Sequence, residues 1–277
     1  MAFLGWSTGI FSKIALRDIS PFSFTFLRFV FAAAFIVPFV VRKIPKRHFL
    51  KLFLLSLFAA WNVILFAFGI QWTSPTSSAI IYVLSPIMAL LLGCIFLKHK
   101  FSALNILWIV LGFLWTVAII LLPIFYWWAY STWWLIGNLL IVLAMISFTI
   151  YTVWSKSLQK LFSHEAITAW FLFVTLIITG IVSCIHPYHF VSEITQLSTY
   201  AWWAIIFVGI AWTGIQYLLQ QIVIKKNSYI DGSLFLYIQP IATVLLAIPL
   251  LHEKITTLFI IGAVVTLVGV WLSSRKV

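Results

Sequence analysis

Polar side chains inside long apolar stretches are the residues of this chain that could do chemistry. Arg28, Asn62, Gln216 and Gln220 each lie in such a stretch. Burying a polar group is costly unless it is hydrogen-bonded or serves a function. An amide can donate and accept hydrogen bonds, and an arginine could hold a carboxylate, pair with the backbone or pair with Asp18. We assign Arg28 a structural or gating role and the amides a role in binding a small polar molecule, with hydrogen bonding between helices as the alternative for the amides.

Two further patterns are similar to enzyme sites. Residues 5–9, GWSTG, match the G-x-S-x-G nucleophile elbow, which needs a preceding strand and acid and histidine partners. The motif lies in an apolar stretch, where small residues four apart favour close helix packing. His186, His189 and Glu193 could bind a metal, but no fourth ligand accompanies them. We therefore predict no catalytic residue, no metal and no cofactor.

The composition decides what kind of element must position these residues. Of 277 residues, 64% are hydrophobic and 8% are charged, whereas soluble domains are about 45–50% apolar and about 25% charged. This excludes a soluble domain and predicts an integral membrane protein. Because every backbone group must be satisfied within the bilayer, and no alternating strand pattern is visible, the fold class is all-α. The net charge of +12 reflects topology, so we predict the lipid bilayer and no nucleic acid as a partner.

Turn residues and charges divide the chain into ten predicted transmembrane helices. Their approximate ranges are 2–16, 22–41, 50–71, 76–97, 103–122, 134–155, 165–185, 200–224, 230–250 and 255–273. An aromatic loop over 123–133 separates two groups of five. We predict one repeat over 1–122 and a second over 134–277.

The two groups share a pattern of residues. The stretch SPIMALLLGCIFLKHK at 85–100 returns as QPIATVLLAIPLLHEK at 239–254, an offset of 154. The matching pairs are Pro86 with Pro240, Leu97 with Leu251, Lys100 with Lys254 and Asn62 with Gln216, and an offset of 143 pairs Lys13 with Lys156. An odd number of helices per repeat requires the second repeat to be inverted, as in transporters. The paired prolines predict kinks beside a central site, with simple bending for packing as the alternative.

Basic residues predict the orientation. With the N-terminus in the cytoplasm, the inside loops collect the Lys and Arg residues of 42–51, 98–100, 156–160, 225–226 and 275–276. The outside loops keep Arg17 and Lys254. The positive-inside rule therefore predicts a multi-pass protein of the cell membrane with both termini in the cytoplasm.

The sequence resembles the EamA-type ten-helix proteins of the drug/metabolite transporter superfamily. The residues that carry the resemblance are Trp6 with Lys13, Ile19–Pro21, Leu27–Phe29, Leu84–Pro86, Gln239 with Pro240, Leu251–Lys254 and Gly262–Gly269. The resemblance implies ten helices around a central cavity, in two inverted five-helix halves, that carry small metabolites such as amino acids, often outward. The chain departs from the family pattern where Ser7 follows Trp6 and where Lys98–Lys100 lacks a preceding glutamate.

These observations predict a secondary transporter, an exporter or exchanger that works by alternating access as a monomer on a small-molecule substrate. The alternatives are a membrane-embedded enzyme of lipid or cell-wall chemistry and a channel. Residues predicted to bind substrate are Trp6, Ser7, Asn62, Ser78, Tyr82, Ser85, Ser147, Tyr151, Trp212, Gln216, Gln220, Ser233, Tyr237 and Gln239. Residues predicted to be structural or gating are Arg28, Pro86 and Pro240.

Overall fold

The computed structural model describes residues 7–40, 49–97, 132–185, 187–226 and 239–251, together with Ile260 and Val264. Within these residues the regular structure is entirely helical, which confirms the all-α prediction for the described part. Five helical stretches are long and apolar enough to cross a membrane. They are Phe49–Trp72, Pro75–Gly93, Thr132–Leu158, His164–Ile185 and Thr199–Lys226, and Pro21–Ile36 is a shorter apolar helix.

The helices follow one another with short connections. They are α1 (Thr8–Ala15), α2 (Pro21–Val40), α3 (Phe49–Trp72), α4 (Pro75–Val83), α5 (Ser85–Leu97), α6 (Thr132–Leu158), α7 (His164–Ile185), α8 (Pro187–Gln196), α9 (Thr199–Phe207), a π-helical segment (Val208–Gln216), α10 (Tyr217–Lys226) and α11 (Gln239–Leu251). The predicted bounds of the second, third, sixth, seventh and eighth spans are confirmed to within three residues. The fifth span and most of the tenth lie outside the described residues, as does the start of the ninth.

The predicted fourth span is broken in its middle. Ser74 caps the start of α4 by accepting a hydrogen bond from the Ser77 backbone N–H at 3.0 Å. The helix then stops at Val83, and α5 begins at Ser85, one residue before Pro86. Because proline has no N–H, the bond that Pro86 would donate to the carbonyl four residues earlier is missing. The kink predicted at Pro86 is thus confirmed, whereas Pro240 stands at the start of α11, where the preceding residues are not described.

The outside loop predicted over 186–199 contains a helix, so its prediction as a loop was wrong. Pro187 opens α8, since its fixed φ suits the first turn of a helix. Phe190 of this helix packs edge-on against Phe26 of α2, with ring centroids 5.5 Å apart. A single apolar anchor of this kind gives almost no periodic signal in the sequence.

A π-helical segment interrupts the predicted eighth span and was not predicted. The Thr213 hydroxyl donates to the Val208 carbonyl five residues earlier, at 3.1 Å, which follows the i to i+5 spacing of a π-helix. Gly209 lets the segment approach α2 closely, because a Cβ at this position would lie 2.6 Å from the Arg28 carbonyl oxygen. The segment therefore packs directly on the backbone of α2.

Helices α3 and α6 meet at a pair of glycines. A Cβ at Gly69 would lie 2.9 Å from the Gly137 carbonyl oxygen and 2.8 Å from a methyl of Ile141, while a Cβ at Gly137 would lie 3.0 Å from the Gly69 carbonyl oxygen. Contacts this short leave no room for a side chain. Small residues at a helix crossing allow such an approach within a membrane, where packing drives helix association.

We expect Gly69→Ala to destabilise the protein by about 1–3 kcal/mol, the usual cost of overpacking. The matched control is Gly180→Ala on α7, where the new methyl would meet only the ring of Phe26, at 3.1 Å. That ring can move, and alanine favours a helix over glycine by about 1 kcal/mol. Thermal unfolding of both variants in detergent checks the prediction, and equal melting temperatures would contradict the backbone contact.

Two lysines cap the ends of other helices in equivalent ways. Lys13, at the end of α1, donates to the carbonyls of Ile70, Gln71 and Thr73 at 2.9, 2.9 and 2.6 Å. Cations favour the negative C-terminal end of a helix, where carbonyls have no intrahelical partner. Lys13 thereby holds the end of α3.

Lys156 makes the corresponding contact near the end of α6. Its Nζ donates to the carbonyls of Ile224 and Lys225 at 2.7 and 3.3 Å, at the end of α10. The acceptor residues stand 154 positions after Ile70 and Gln71, the offset read from the sequence. One lysine contact thus occurs at each end of the helix bundle.

Two acid–serine contacts join the connection after α1 to the segment around α8. Asp18 accepts from the backbone N–H of Ser198 at 3.3 Å and from its hydroxyl. Glu193 accepts from the backbone N–H and the hydroxyl of Ser20, both at 3.1 Å. We call these four residues the outer clasp, since the sequence predicts all of them outside the membrane.

Candidate functional site

A small cavity lies where helices of the N-terminal and C-terminal parts of the chain meet. Its lining residues are Thr8, Arg28, Asn62, Val63, Phe66, Tyr82, Phe148, Trp212, Tyr217 and Gln239. They come from α1, α2, α3, α4, α6, the π-helical segment, α10 and α11. The cavity volume is about 30 Å³, which is room for one or two water molecules. A larger ligand can enter this cavity only if the surrounding helices separate.

Asn62 is the centre of the hydrogen bonding around the cavity. Its Nδ2 donates to the hydroxyl of Tyr82 at 2.5 Å and to the carbonyl of Ala144 at 2.9 Å. Its Oδ1 accepts from the hydroxyl of Tyr217 at 3.0 Å. One amide therefore connects α3 to α4, α6 and α10. Such bonds within a membrane contribute about 0.6–2 kcal/mol each.

Arg28 brings a cation to the cavity wall. Its side chain is 1% exposed, and its Nε donates to the hydroxyl of Thr213 at 2.9 Å. The guanidinium carbon lies 5.6 Å from the ring centroids of both Phe24 and Phe29, within the range of a cation–π interaction. The π-helical segment thus supplies the hydroxyl that orients the guanidinium.

No carboxylate of the described chain pairs with Arg28. Asp18, one of the partners considered for it, instead bonds to Ser198 in the outer clasp. Glu193 bonds to Ser20 and lies 3.7 Å from His189, and Glu165 lies 3.3 Å from His164. A cation in a nonpolar interior normally has a paired anion, so the balance of charge around Arg28 favours an anionic ligand.

Aromatic rings form the remaining walls. Tyr82 packs against Phe66 and Phe148 with centroid distances of 5.9 Å to each. Tyr217 lies 6.5 Å from Phe148 and 6.4 Å from Trp212, both edge-on. These spacings are typical of stable aromatic pairs. An apolar pocket with a few convergent polar groups is the usual form of a small-molecule site.

Two polar atoms on the cavity wall have no hydrogen-bond partner among the described residues. They are Oγ1 of Thr8 and Oε1 of Gln239, whose residues are 2% and 7% exposed. Most buried polar groups in proteins are satisfied. These two atoms can therefore accept hydrogen bonds from a ligand, and the Thr8 hydroxyl can also donate one.

The structure brings Asn62, Tyr82, Trp212 and Gln239 of the predicted binding residues together at the cavity, with Arg28 beside them. The predicted serines are instead engaged away from it. Ser78 donates to the Pro75 carbonyl, Ser147 to the Phe58 carbonyl, and Ser85 bonds to Thr149. Gln220 donates to the Thr152 hydroxyl at 3.3 Å. These contacts are hydrogen bonds within or between helices.

The other predicted residues have different surroundings. Ser7 and Pro86 are buried, and Tyr151 packs against Phe171 and Tyr217. Gln216 is 1% exposed, and its amide hydrogen-bonds to none of the described residues. Trp6, Ser233 and Tyr237 lie outside the described residues, and Pro240 begins α11.

Sequence reasoning missed Tyr217, and the π-helical segment explains why. A regular helix would place Gln216 on the same face as Trp212, because residues four apart share a face. In the π-helical segment the residue five positions on takes that place, so Trp212 and Tyr217 both line the cavity. Thr8, Val63, Phe66 and Phe148 were also not singled out, and each is adjacent to, or one turn from, a predicted residue.

The residues considered for metal binding do not form a metal site. His189 and Glu193 are one turn apart on α8, while Glu193 is held by Ser20. No group of three or more His, Cys, Asp or Glu side chains within the described ranges could hold a metal ion.

Comparison with known proteins places this geometry in context. The model of the EamA-like transporter family matches residues 1–122 and 135–275. An "Uncharacterized transporter" of Archaeoglobus fulgidus is 22% identical over 280 residues, which cover 96% of this chain and 92% of that protein. The "Uncharacterized transporter YoaV" of Bacillus subtilis (strain 168) is 24% identical, with coverage of 96% and 91%.

A solved crystal structure shares the fold. Its TM-score against this chain is 0.65 at 14% identity, and the match covers 99% of this chain and 96% of the other. At this identity the likeness concerns the fold alone.

Proposed function

The chain belongs to the EamA-like transporter family, a family of multi-pass membrane proteins, and on that premise we propose that it is a secondary transporter of small organic metabolites such as amino acids. It works as an exporter or exchanger across the cytoplasmic membrane. Its relatives bear the name transporter, and we assign it no catalytic chemistry. The substrate site is the cavity around Asn62.

The observation that carries this proposal is the position of the cavity. Asn62 and Tyr82 come from the first half of the chain, while Ala144 and Tyr217 come from the second. A site at the interface of two halves is exposed first to one side and then to the other as the halves rock. A ligand bound there competes directly with the hydrogen bonds that hold the halves together.

The lysine contacts support an inverted repeat. In the proposed topology Lys13 caps α3 at the outer face and Lys156 caps α10 at the inner face. Two halves related by an axis in the membrane plane place equivalent contacts at opposite faces. The distribution of basic residues supports cytoplasmic termini.

The small cavity and the outer clasp support alternating access. With about 30 Å³ available, the cavity in this conformation holds water and no metabolite. Opening to the outside requires Asp18 and Glu193 to release Ser198 and Ser20. Opening to the inside leaves the clasp intact, so the clasp favours the inward-facing state.

Counterflow in proteoliposomes tests the function. Vesicles with purified protein are loaded with an unlabelled compound, diluted into trace label, and followed for transient accumulation, using a panel of amino acids and nucleosides. We expect saturable accumulation for at least one compound and none in protein-free vesicles. The absence of counterflow for every compound, with protein shown to be folded, would contradict the proposal.

A further inference from the structure

We propose that the cavity selects substrates with a carboxylate group, which binds the guanidinium of Arg28, and that a donor group of the same molecule bonds to Oε1 of Gln239. This inference rests on the proposed transport function and names its substrate class. It gives Arg28 a direct role in binding, in place of the structural or gating role predicted from the sequence.

The charge of the site is the first reason. Arg28 is fully surrounded by protein at 1% exposure, and it has no carboxylate partner in the described part of the chain. A buried charge without a counter-ion is costly, and arginine stays protonated in proteins. A substrate that carries a carboxylate supplies the missing charge.

The geometry of the guanidinium is the second reason. Its Nε is used by Thr213, and no other described residue hydrogen-bonds the group. The donors of the two terminal nitrogens therefore remain for a ligand, and a planar pair of this kind matches the two oxygens of a carboxylate. The bond to Thr213 and the rings of Phe24 and Phe29 fix the plane in advance, which lowers the entropic cost of binding.

The remaining polar atoms of the wall are the third reason. Oε1 of Gln239 can only accept a hydrogen bond, and Oγ1 of Thr8 can accept or donate one. Neither has a partner among the described residues. A molecule with one carboxylate and one amino or hydroxyl group satisfies the cation and these acceptors together, and the aromatic rings of Phe66 and Trp212 surround its apolar part.

The first arm of the test compares substrates. Counterflow with wild-type protein is measured for labelled amino acids, for the corresponding amino acid amides and for the decarboxylated amines. Exchange of the acids with little exchange of the amides and amines is expected. Equal exchange of acids and amides would overturn the carboxylate inference and leave the transport function standing. No exchange of any compound would overturn the transport function itself.

The second arm changes Arg28. We expect Arg28→Met to weaken the half-saturation for the best acid substrate about 100-fold, since truncating one partner of a buried charge pair has a large effect on binding. Arg28→Lys should retain part of the activity, because it keeps the charge and loses the planar pair. The matched control is Arg17→Met, which removes an exposed cation near the outer clasp.

The melting temperature separates binding from structure. If Arg28 serves the substrate, the ligand-free Arg28→Met protein should melt at or above the wild-type temperature, because a buried unpaired charge has been removed. If Arg28 serves the fold, the variant should melt well below it. Retained acid exchange in Arg28→Met, or a large loss of its melting temperature, would overturn the assignment.

Discussion

Replacing Asn62 by leucine is expected to reduce counterflow by about tenfold or more, since three hydrogen bonds at about 1 kcal/mol each are lost. Leucine has nearly the volume of asparagine, so the packing changes little. The amide oxygen and nitrogen that connect α3 to Tyr82, Ala144 and Tyr217 disappear. The measurement is the initial rate of exchange per folded protein, with folding checked by size-exclusion chromatography.

The matched control is Gln216→Leu, at the position that the sequence repeat pairs with Asn62. The Gln216 amide is buried, does not line the cavity and bonds to none of the described residues. Its removal should leave exchange within about twofold of wild type, because an unsatisfied polar group contributes nothing favourable to stability. If Gln216→Leu lost as much exchange as Asn62→Leu, the site would extend to Gln216 and the cavity around Asn62 would be too narrow a description.

Lys13→Met is expected to cause a large loss of stability, about 2–3 kcal/mol, since hydrogen bonds to charged groups are stronger than neutral ones. Methionine keeps the apolar part of the side chain and leaves the carbonyls of Ile70, Gln71 and Thr73 without the ammonium. Lys156→Met should cause a smaller loss, because Lys156 contacts two carbonyls and one of them at 3.3 Å. Thermal unfolding in detergent measures both.

Lys226→Met serves as the control for charge alone. Lys226 is exposed at the end of α10, and surface substitutions usually change stability by less than about 0.5 kcal/mol. A Lys13→Met protein that melts together with Lys226→Met would contradict the capping role. It would also remove one of the two equivalent contacts that support the inverted repeat.

The helices were predictable because a membrane imposes a simple rule on the sequence. A span needs about 20 apolar residues, and charges, prolines and serines mark its ends. The bounds of α2, α3, α6 and α7 follow from this rule. The break before Pro86 follows from the missing N–H of proline. In contrast, α8 is short and only partly apolar, so neither its length nor its hydropathy distinguishes it from a loop.

The cavity was predictable in part. Asn62, Tyr82 and Gln239 were identified because polar groups in apolar spans need partners, and the structure places all three on the cavity wall. The serines were wrongly grouped with them in one respect, since a serine hydroxyl can bond to a nearby carbonyl, as Ser78 does, and needs no cavity. The partner of Asn62 on α10 was missed because a π-helical turn moves Tyr217 to the face expected for Gln216. A regular period of 3.6 residues cannot reveal such a shift.

The central claim is that one cavity between the two halves opens alternately to each side of the membrane. A single cysteine in place of Thr8, on the cavity wall, reports this in a protein whose Cys94 and Cys184 are serine. The reporter is labelled with a membrane-impermeant maleimide from either side, using vesicles of both orientations. The same experiment is repeated with the outer clasp weakened by Asp18→Ala and Glu193→Ala.

We predict labelling from both sides, slower labelling from both when a transported compound is present, and a shift toward outside labelling when the clasp is weakened. Each side should be reached at the expense of the other, since one site cannot face both compartments at once. Labelling from one side only, unchanged by the clasp substitutions and by every compound exchanged, would contradict alternating access through this cavity.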